Sequence, residues 1–536
     1  MGSRPVNLLV FREDRKQVGS QSAKADLLRA CGEDVLSALL LAGEIESGVA
    51  DAAPELAPGW QQVTDSLAEA LVRRASIDFD RTRTLIQSLQ IPKLLAISPH
   101  EGFAYYALHP LAYADVLNAL GELRGDIAVV GIRSIGTTLS AITSAAVRNK
   151  NLRSSRITVR PNGHPYNRQT SFTSDQLAWI AERRTAGADF LVVDEGPGLS
   201  GSSFISTADA LVGAGVPVDA ITLICGHQPE FDSLRAEDAP RRARQFRWLP
   251  VNTDPYRPAA AQMFIGGGQW RRALMADEAS WPASWTSFER LKYLVSSNTD
   301  NPDLLKFMGF GPYGAEVVRR EQMVAEAGFG PAPRELADGF ACYPWLEGRP
   351  MRAEDLSENV LTRLADYCVF RARAFPAELR EITALQQMAE HNLHELKLDL
   401  PVSLGLEHPV VADARMQPHE WVLTKAGQML KTDSGSHGND HFFPGPADIG
   451  WDLAGAIVEW KMPIAAQEFF INTYYGASGD DPRRRLPSYM SAYAVFRYAY
   501  CTMAANASEG AEQVRLAKAA AVYAAHLARS PQAAAV

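Results

Sequence analysis

The sequence has few cysteines, and none are clustered. Its 536 residues contain five cysteines, with no Cys-x-x-Cys pair among them: Cys31, Cys225, Cys342, Cys368 and Cys501. Zinc sites and disulfide frameworks use closely spaced or paired cysteines. The sequence therefore predicts neither, and it favours a reducing, cytoplasmic location.

The chain also lacks an excess of basic residues and long apolar runs. Its net charge is −9 and its isoelectric point about 5.7, so we expect no nucleic-acid partner. No apolar run reaches the ~18 residues of a transmembrane helix, so we expect no membrane span. Residues 1–17 lack the apolar core of a signal peptide. A small-molecule substrate is the expected partner, and a homodimer is one possible assembly.

Changes of pattern divide the chain into four segments. Residues 1–95 have helical periodicity, and 96–250 alternate strand-like and helical stretches. Residues 251–300 form a mixed linker that leads into 301–536, which begin with a lysine-bearing strand and continue mostly as long helices. This pattern predicts an α/β fold, in which a parallel-sheet domain precedes an α+β domain with a mostly helical C-terminal lobe.

Four apolar runs are predicted to be buried strands of the first domain. They are residues 127–132, 156–160, 190–195 and 220–226. Amphipathic segments between them fit crossover helices, so the sheet is expected to be parallel.

One of these strands leads into a stretch rich in acids, glycines and serines, ADFLVVDEGPGLSGSSFISTADAL at 188–211. Asp194 and Glu195 stand at the carboxyl end of the strand, where open α/β sheets bind ligands. Gly198 and Gly201 permit positive φ, and the next helix presents its N-terminus, so the turn suits a phosphate. The two carboxylates suit hydroxyl groups. The motif predicts a site for a phosphorylated sugar, and an ordinary turn of an α/β domain is the alternative.

The segment VVDEGPGLSGSS at 192–203 resembles the signature of the type I phosphoribosyltransferases, with a spacer one residue longer. The resemblance implies that Asp194 and Glu195 hold the ribose hydroxyls of phosphoribosyl pyrophosphate during catalysis. It also implies that the turn binds the 5′-phosphate through Gly198, Ser200, Gly201, Ser202 and Ser203.

A second turn, in IAVVGIRSIGTTLSAI at 127–142, matches the family's pyrophosphate loop. The resemblance assigns Gly131, Arg133 and Gly136 to the pyrophosphate. It further places Arg160 and Arg168 in a loop that covers the site. The implied reaction uses Mg²⁺ and transfers the ribosyl group to a base or amine that the sequence does not identify.

The second half contains a strand lysine, Lys306, and a helix glutamate, Glu321, in PDLLKFMGFGPYGAEVVRREQ at 302–322. With VVADARMQPHEWVLT at 410–424 and the Asp-Ser-Gly at 433–435, it resembles the aminoglycoside-phosphotransferase and choline-kinase branch of the protein-kinase-like fold. The resemblance implies that ATP binds at Lys306 and Glu321. Asp413 would orient an acceptor hydroxyl, Asp433 would bind Mg²⁺, and Asp452 would brace the C-terminal lobe.

The same segments depart from the family pattern. The family's loop begins His-Gly-Asp and ends in Asn five residues later, whereas this chain has Val-Ala-Asp and then Pro418 and His419. His419 is therefore a candidate metal ligand. A rival reading of HGNDHFFPG at 437–445 makes Asp440 the base, and IGGGQW at 265–270 is either a phosphate-covering loop or a linker.

Three functions remain open from the sequence. One is a phosphoribosyltransferase fused to an ATP-dependent kinase of small-molecule hydroxyls, and another is a phosphoribosyltransferase whose kinase lobe is inactive. The third is a sensor that binds phosphoribosyl pyrophosphate or a nucleotide without catalysis and carries a degenerate kinase lobe.

Overall fold

A computed structural model describes residues 8–10, 16–75, 78–120, 125–296, 301–334, 336–378 and 382–529. Most of residues 1–17, for which the sequence predicts no signal peptide, lie outside these ranges. The chain forms two compact units. We call Arg15–Pro258 with Phe310–Pro312 the sheet unit, and Ala259–Gly309 with Tyr313–Val536 and the first 14 residues the pocket unit.

The sheet unit contains seven strands and ten helices within the described ranges. In chain order they are β1 (Lys16–Gly19), α1 (Ser20–Ala30), α2 (Val35–Ala52), α3 (Ala57–Arg73), α4 (Phe79–Ser88), β2 (Leu94–Ile97), α5 (Glu101–Ala104), α6 (Ala112–Asp115), β3 (Asp126–Ile132), α7 (Gly136–Asn149), β4 (Arg153–Val159), α8 (Ser174–Thr185), β5 (Asp189–Val193), α9 (Ser202–Gly213), β6 (Ile221–Cys225), α10 (Ala239–Ala243) and β7 (Arg247–Pro250).

Five of these strands form a parallel sheet in the order β4-β3-β5-β6-β7. The predicted parallel sheet is therefore confirmed, and its four predicted strands correspond to β3, β4, β5 and β6. The chain runs from β3 to β4 on one side, and continues from β5 to β6 and β7 on the other. The order thus reverses between β3 and β5, and such a switch point leaves a crevice at the carboxyl ends of the two strands.

Helices α1–α4 belong to the same compact unit as this sheet. A buried ion cluster connects them to β4. The Arg156 side chain is 0% exposed and donates two hydrogen bonds of 2.8 Å to Glu46 on α2. It donates a third, of 2.6 Å, to Asp65 on α3. The cluster fixes α2 and α3 against the edge strand of the sheet.

The pocket unit contains ten strands and eight helices within the described ranges. They are β8 (Met263–Phe264), α11 (Trp270–Leu274), β9 (Lys292–Val295), β10 (Asp303–Phe307), α12 (Pro312–Glu326), β11 (Leu336–Ala337), β12 (Phe340–Pro344), β13 (Gly348–Pro350), α13 (Glu358–Ala374), α14 (Thr383–Leu396), β14 (Pro409–Val410), β15 (Trp421–Thr424), β16 (Met429–Lys431), β17 (Ala447–Asp448), α15 (Gly450–Glu459), α16 (Ile464–Ser478), α17 (Leu486–Asn506) and α18 (Gly510–Ala528).

An antiparallel sheet of order β11-β12-β10-β9-β8 precedes the helical part of this unit. Two smaller sheets follow, β13-β15-β16 and β14-β17. Strand β10 carries Lys306 and α12 carries Glu321, as the sequence predicts. Strands β8 and β9 are joined by residues 265–291, which we call the connecting segment. Among the described residues, no helix combines the length and apolarity that a bilayer crossing needs.

Candidate functional site

A cluster of buried charged side chains lies in the pocket unit, around Lys306. This lysine is 3% exposed, and its ammonium group lies 3.6 Å from the Glu321 carboxylate. It also forms an ion pair with Asp433, which follows β16. A second lysine, Lys292 on β9, lies 3.0 Å from the same aspartate. The structure thus brings together three residues that the sequence predicts for the site, and adds Lys292, which sequence reasoning missed.

The two lysines determine the charge of this aspartate. Burial alone would raise the pKa of Asp433, but Lys292 and Lys306 lower that pKa to well below its usual range. Burial alone would lower the pKa of Lys292, but Asp433 and Glu289 raise it. Both partners are therefore charged at neutral pH.

A possible cation site shares Asp433. One ligand atom from each of Glu420, Asp433 and His437 lies within 4.8 Å of the others. His437 is 9% exposed, and its Nδ1 has no hydrogen-bond partner within the described residues. Burial and Arg415 hold the pKa of His437 well below its usual value, so the imidazole is neutral and able to ligate. Two carboxylates and an imidazole fit a divalent cation.

His419, the metal ligand suggested by the sequence, is not in this cluster. Its ring stacks on Trp270 at 6.1 Å between centroids. Glu420 takes its place because the Thr432 N–H donates a 2.8 Å hydrogen bond to the Glu420 carbonyl, which sets Glu420 beside Asp433. Sequence reasoning missed Glu420, because its place follows from the pairing of β15 with β16.

Asp413, the predicted catalytic aspartate, is enclosed in the protein interior. It is 0% exposed. Its Oδ2 accepts a hydrogen bond from the Tyr367 hydroxyl, and its Oδ1 lies 3.3 Å from the Lys431 ammonium. The Asp452 carboxylate accepts the N–H groups of Asp413 at 2.8 Å and Ala414 at 2.9 Å. Asp452 thus braces the loop that contains Asp413, and Asp413 supports this loop from inside rather than facing a cavity.

The cavity next to Lys306 has apolar walls and a charged end. It contains about 700 Å³ of space between atoms, part of it open to solvent. Its walls are Ile265, Trp270, Leu274, Leu304, Pro331, Tyr343, Pro344, Trp345, Leu346 and Val422, and its charged end consists of Lys292, Lys306, Glu321, Thr432 and Asp433. The walls suit a planar apolar group, and the lysines suit anions.

A second group of acids lies in the sheet unit, at the switch point between β3 and β5. Asp194 and Glu195 directly follow β5. The Tyr113 hydroxyl donates a 2.7 Å hydrogen bond to the Asp194 carbonyl, and the Gly102 N–H donates to the Glu195 carboxylate. Burial, and then the nearby Glu101, raise the pKa of Asp194 to about 7. Burial, Glu101 and Asp194 raise the pKa of Glu195 well above its usual value.

The glycines predicted for the pyrophosphate have a packing reason. A Cβ atom on Gly131 would lie 2.3 Å from the Gly136 carbonyl oxygen, and a Cβ atom on Gly136 would lie 2.6 Å from the Val193 carbonyl oxygen. Strands β3 and β5 and the start of α7 therefore approach at backbone distance. Only glycine allows this contact, whether or not a ligand binds.

Two of the three arginines that the resemblance places at this site, Arg133 and Arg160, form ion pairs with the same acid of α2. Arg133 lies 3.2 Å from Asp51, and Arg160 lies 2.6 Å from it. Arg168 donates a 2.8 Å hydrogen bond to the Gly163 carbonyl inside its own loop. Asp51 thus competes with any anion for the first two arginines.

In the turn at 198–203, Gly201 but not Gly198 has a positive φ, and two of the serine hydroxyls are engaged. Gly201 has a φ of 67° and caps α9, so the helix N-terminus faces this turn. Ser200 and Ser202 donate hydrogen bonds of 2.8 and 2.7 Å to the Pro165 carbonyl. Ser203 is the second residue of α9, and Gly198 is exposed. The loop 160–172 therefore lies against the turn and would have to release the serines before they bind a phosphate.

Comparisons with known proteins show only distant likenesses. No family model matches the sequence, and no curated protein matches it. Among solved structures, choline kinase LicA from Streptococcus pneumoniae is 14% identical, with 44% of this chain and 89% of that chain covered and a TM-score of 0.32.

Two further solved structures are similar to the same degree. A choline/ethanolamine kinase family protein from Mesorhizobium loti is 16% identical over 49% of this chain and 95% of its own, with a TM-score of 0.33. Macrolide 2′-phosphotransferase MphH from Brachybacterium faecium is 15% identical over 47% and 95%, with a TM-score of 0.31. Structural similarity at TM-scores below 0.5 does not establish a shared fold or activity, so the function is inferred from the residues of this chain.

Proposed function

We propose that the pocket unit binds a nucleoside triphosphate, such as ATP, together with a divalent cation, in the manner of a kinase-like phosphotransferase. One observation carries the proposal. Lys306 lies between Glu321 and Asp433 at the charged end of an apolar cavity, and Asp433 also belongs to the cation cluster. A triphosphate needs cations at one end and an apolar surface for its base at the other, and this cavity offers both.

Each group has a definite part in this binding. Lys306 and Lys292 donate hydrogen bonds to phosphate oxygens. Glu420, Asp433 and His437 hold the cation, which when bound supplies neutralisation of the phosphate charge. Glu321 fixes Lys306 in the absence of the ligand, so that its ammonium group is already placed.

Calorimetric titration with a non-hydrolysable ATP analogue and Mg²⁺ or Mn²⁺ tests this proposal. Lys306→Met should weaken binding at least about tenfold, because the lost charge-assisted hydrogen bond is worth about 1.5–3 kcal/mol. Lys425→Met is the matched control, since this lysine is 75% exposed in the same unit. Equal affinity in the wild type and both variants would refute the proposed site.

The sheet unit favours a second candidate function, the binding or transfer of phosphoribosyl groups. The observation behind it is the position of Asp194 and Glu195 at the switch point, next to a turn that leads into the N-terminus of α9. The carboxyl groups suit the ribose hydroxyls, and the turn suits the 5′-phosphate. The acceptor of the ribosyl group is not defined by these residues.

This second candidate has its own experiment. Wild-type protein is titrated with phosphoribosyl pyrophosphate and Mg²⁺, and pyrophosphate release is then measured with a pool of bases and amines. The double variant Asp194→Asn/Glu195→Gln should lose both signals, and Asp175→Asn on α8, an exposed acid of the same unit, should lose neither. Binding without release would favour the sensor over the transferase.

A further inference from the structure

The loop between β14 and β15 contains one aspartate, and that aspartate cannot reach a ligand. Asp413 is fully buried, and both of its carboxylate oxygens already have partners in Tyr367 and Lys431. The Arg415 N–H also donates a 3.2 Å hydrogen bond to it. A general base must lie within hydrogen-bond reach of the proton that it abstracts. Asp413 does not meet this condition.

An arginine stands where the loop does face a cavity. One cavity is lined by Ala414 and Arg415 of this loop and by His437 and Asp440 of the loop after β16. Aromatic side chains at 442–443 and on α17 also contribute to the lining. His437 also belongs to the cation cluster, so this cavity adjoins the proposed site of the phosphate groups. The Arg415 guanidinium lies 5.8 Å from the centre of the Tyr500 ring. A guanidinium stays protonated at physiological pH and cannot act as a base.

Asp440, the carboxylate of this cavity, is committed to other partners. Its Oδ1 accepts the N–H groups of Phe442 at 2.8 Å and Phe443 at 3.2 Å. Its Oδ2 lies 3.5 Å from Arg415. The carboxylate thus fixes the turn after residue 440 and pairs with the arginine, so a substrate hydroxyl would compete with these partners for it.

The cavity is also too small for an acceptor molecule. The space open to the centres of water molecules is about 10 Å³, compared with about 100 Å³ in the cavity next to Lys306. About 10–15 Å³ of such space holds a single water molecule. A small-molecule alcohol would need side chains to move apart.

The connecting segment packs on two of the aromatic side chains that line this cavity. Its Trp285 contacts Phe442 and Tyr500, each at 5.3 Å between ring centroids. Its Arg271 forms a 2.8 Å ion pair with Glu512 on α18, in which the arginine is 4% exposed. The Ser284 N–H donates a 2.8 Å hydrogen bond to the same glutamate. Moving the connecting segment away from Phe442 and Tyr500 would therefore strain buried polar contacts as well as aromatic ones.

We propose that the pocket unit binds the complex of a nucleoside triphosphate with a divalent cation and holds it intact, without transferring the γ-phosphate to a hydroxyl acceptor. This inference rests on the proposed nucleotide site. It assigns a binding function to the pocket unit, since the groups for phosphate and cation are present, whereas Asp413 is enclosed and Asp440 is engaged in a cavity that lacks space for an acceptor.

A paired binding and transfer experiment tests the inference. The full chain is incubated with γ-labelled ATP, Mg²⁺ or Mn²⁺, and glycerol, ribose, serine and ethanolamine as probe acceptors. Binding is measured by calorimetry, and labelled products, free phosphate and recovered ATP by chromatography. The comparison variant is Asp433→Asn, which removes a group of the proposed cation site.

The outcomes distinguish a failure of this inference from a failure of the proposed nucleotide site. We expect saturable binding by the wild type, recovery of the bound nucleotide as triphosphate, and no more product or free phosphate than Asp433→Asn forms. Binding accompanied by product that depends on Asp433 would overturn this inference and leave the proposed function standing. Absence of binding by the wild type would overturn both.

Discussion

The buried ion cluster at Arg156 offers the most quantitative prediction. Replacing Arg156 by Met removes two 2.8 Å hydrogen bonds to Glu46, whose side chain is 3% exposed, and one of 2.6 Å to Asp65, whose side chain is 24% exposed. Asp65 can recover hydration, whereas Glu46 remains charged and desolvated. Breaking a buried pair in this way costs about 3–5 kcal/mol. Most of this cost should come from Glu46.

Arg148 provides a matched control in the same unit. It donates a 2.7 Å hydrogen bond to Glu69 on α3, but the two side chains are 25% and 35% exposed. An ion pair at such exposure contributes about 0–1 kcal/mol. Arg148→Met should therefore change the stability of the sheet unit little. Adding Glu46→Gln to Arg156→Met should recover part of the loss, because it removes the unpaired charge.

Hydrogen exchange measured by mass spectrometry is the suitable assay, since it reports on the sheet unit separately from the pocket unit. A loss of about 4 kcal/mol corresponds to roughly 1,000-fold faster exchange in peptides from β4 and α2. The reasoning is wrong if Arg156→Met and Arg148→Met accelerate exchange equally. It is also wrong if Glu46→Gln brings no recovery.

Three further predictions concern the two sites. The pKa of Asp194 is raised to about 7, so the stabilisation from its protonated form is present below about pH 4 and is lost as the pH rises through 7. The melting temperature of Asp194→Asn should therefore rise relative to that of the wild type between about pH 4 and pH 7. A difference in melting temperature that does not change with pH would contradict the shift. Gly131→Ala should destabilise the sheet unit by about 1–3 kcal/mol, because the added Cβ atom would lie 2.3 Å from a backbone oxygen. Gly213 has open space around it, so the control variant Gly213→Ala should melt near the wild-type temperature. Asp452→Asn should cost about 1–3 kcal/mol, since an amide offers one oxygen to the two N–H groups that the carboxylate accepts, and amide exchange at residues 413 and 414 should accelerate.

The strands and the lysine–glutamate pair were predictable from local sequence. Strands β3, β5 and β6 are apolar runs buried along almost their whole length, and such a run needs no distant partner to be recognised. Strand β4 is only partly buried, and β7 was not predicted. Lys306 and Glu321 follow from a strand and the helix after it, 15 residues apart. Their pairing was predicted from the resemblance and lies at 3.6 Å in the structure.

The state of Asp413 was not predictable, because its partners are remote in sequence. Tyr367 lies on α13, 46 residues earlier, and Lys431 follows on β16. Nothing in the loop sequence shows that the aspartate turns inward and that Arg415 faces the cavity. The choice between His419 and Glu420 likewise depends on the hydrogen bond from Thr432, which exists only once β15 and β16 pair.

The place of helices α1–α4 also depended on a long-range contact. The periodicity of residues 20–95 predicts helices, and helices are found there. The sequence separates Arg156 from Glu46 by 110 residues, so no local pattern shows that these helices complete the sheet unit.

The ion pair between Arg271 and Glu512 has a practical consequence for deletion experiments. It makes α18 responsible for holding a segment that also contributes Ile265, Trp270 and Leu274 to the cavity next to Lys306. A protein truncated before residue 510 would release that wall although every residue of the proposed phosphate site remained. Lost affinity in such a truncation would therefore report on an untethered wall, and would not map ligand contacts to the C-terminus.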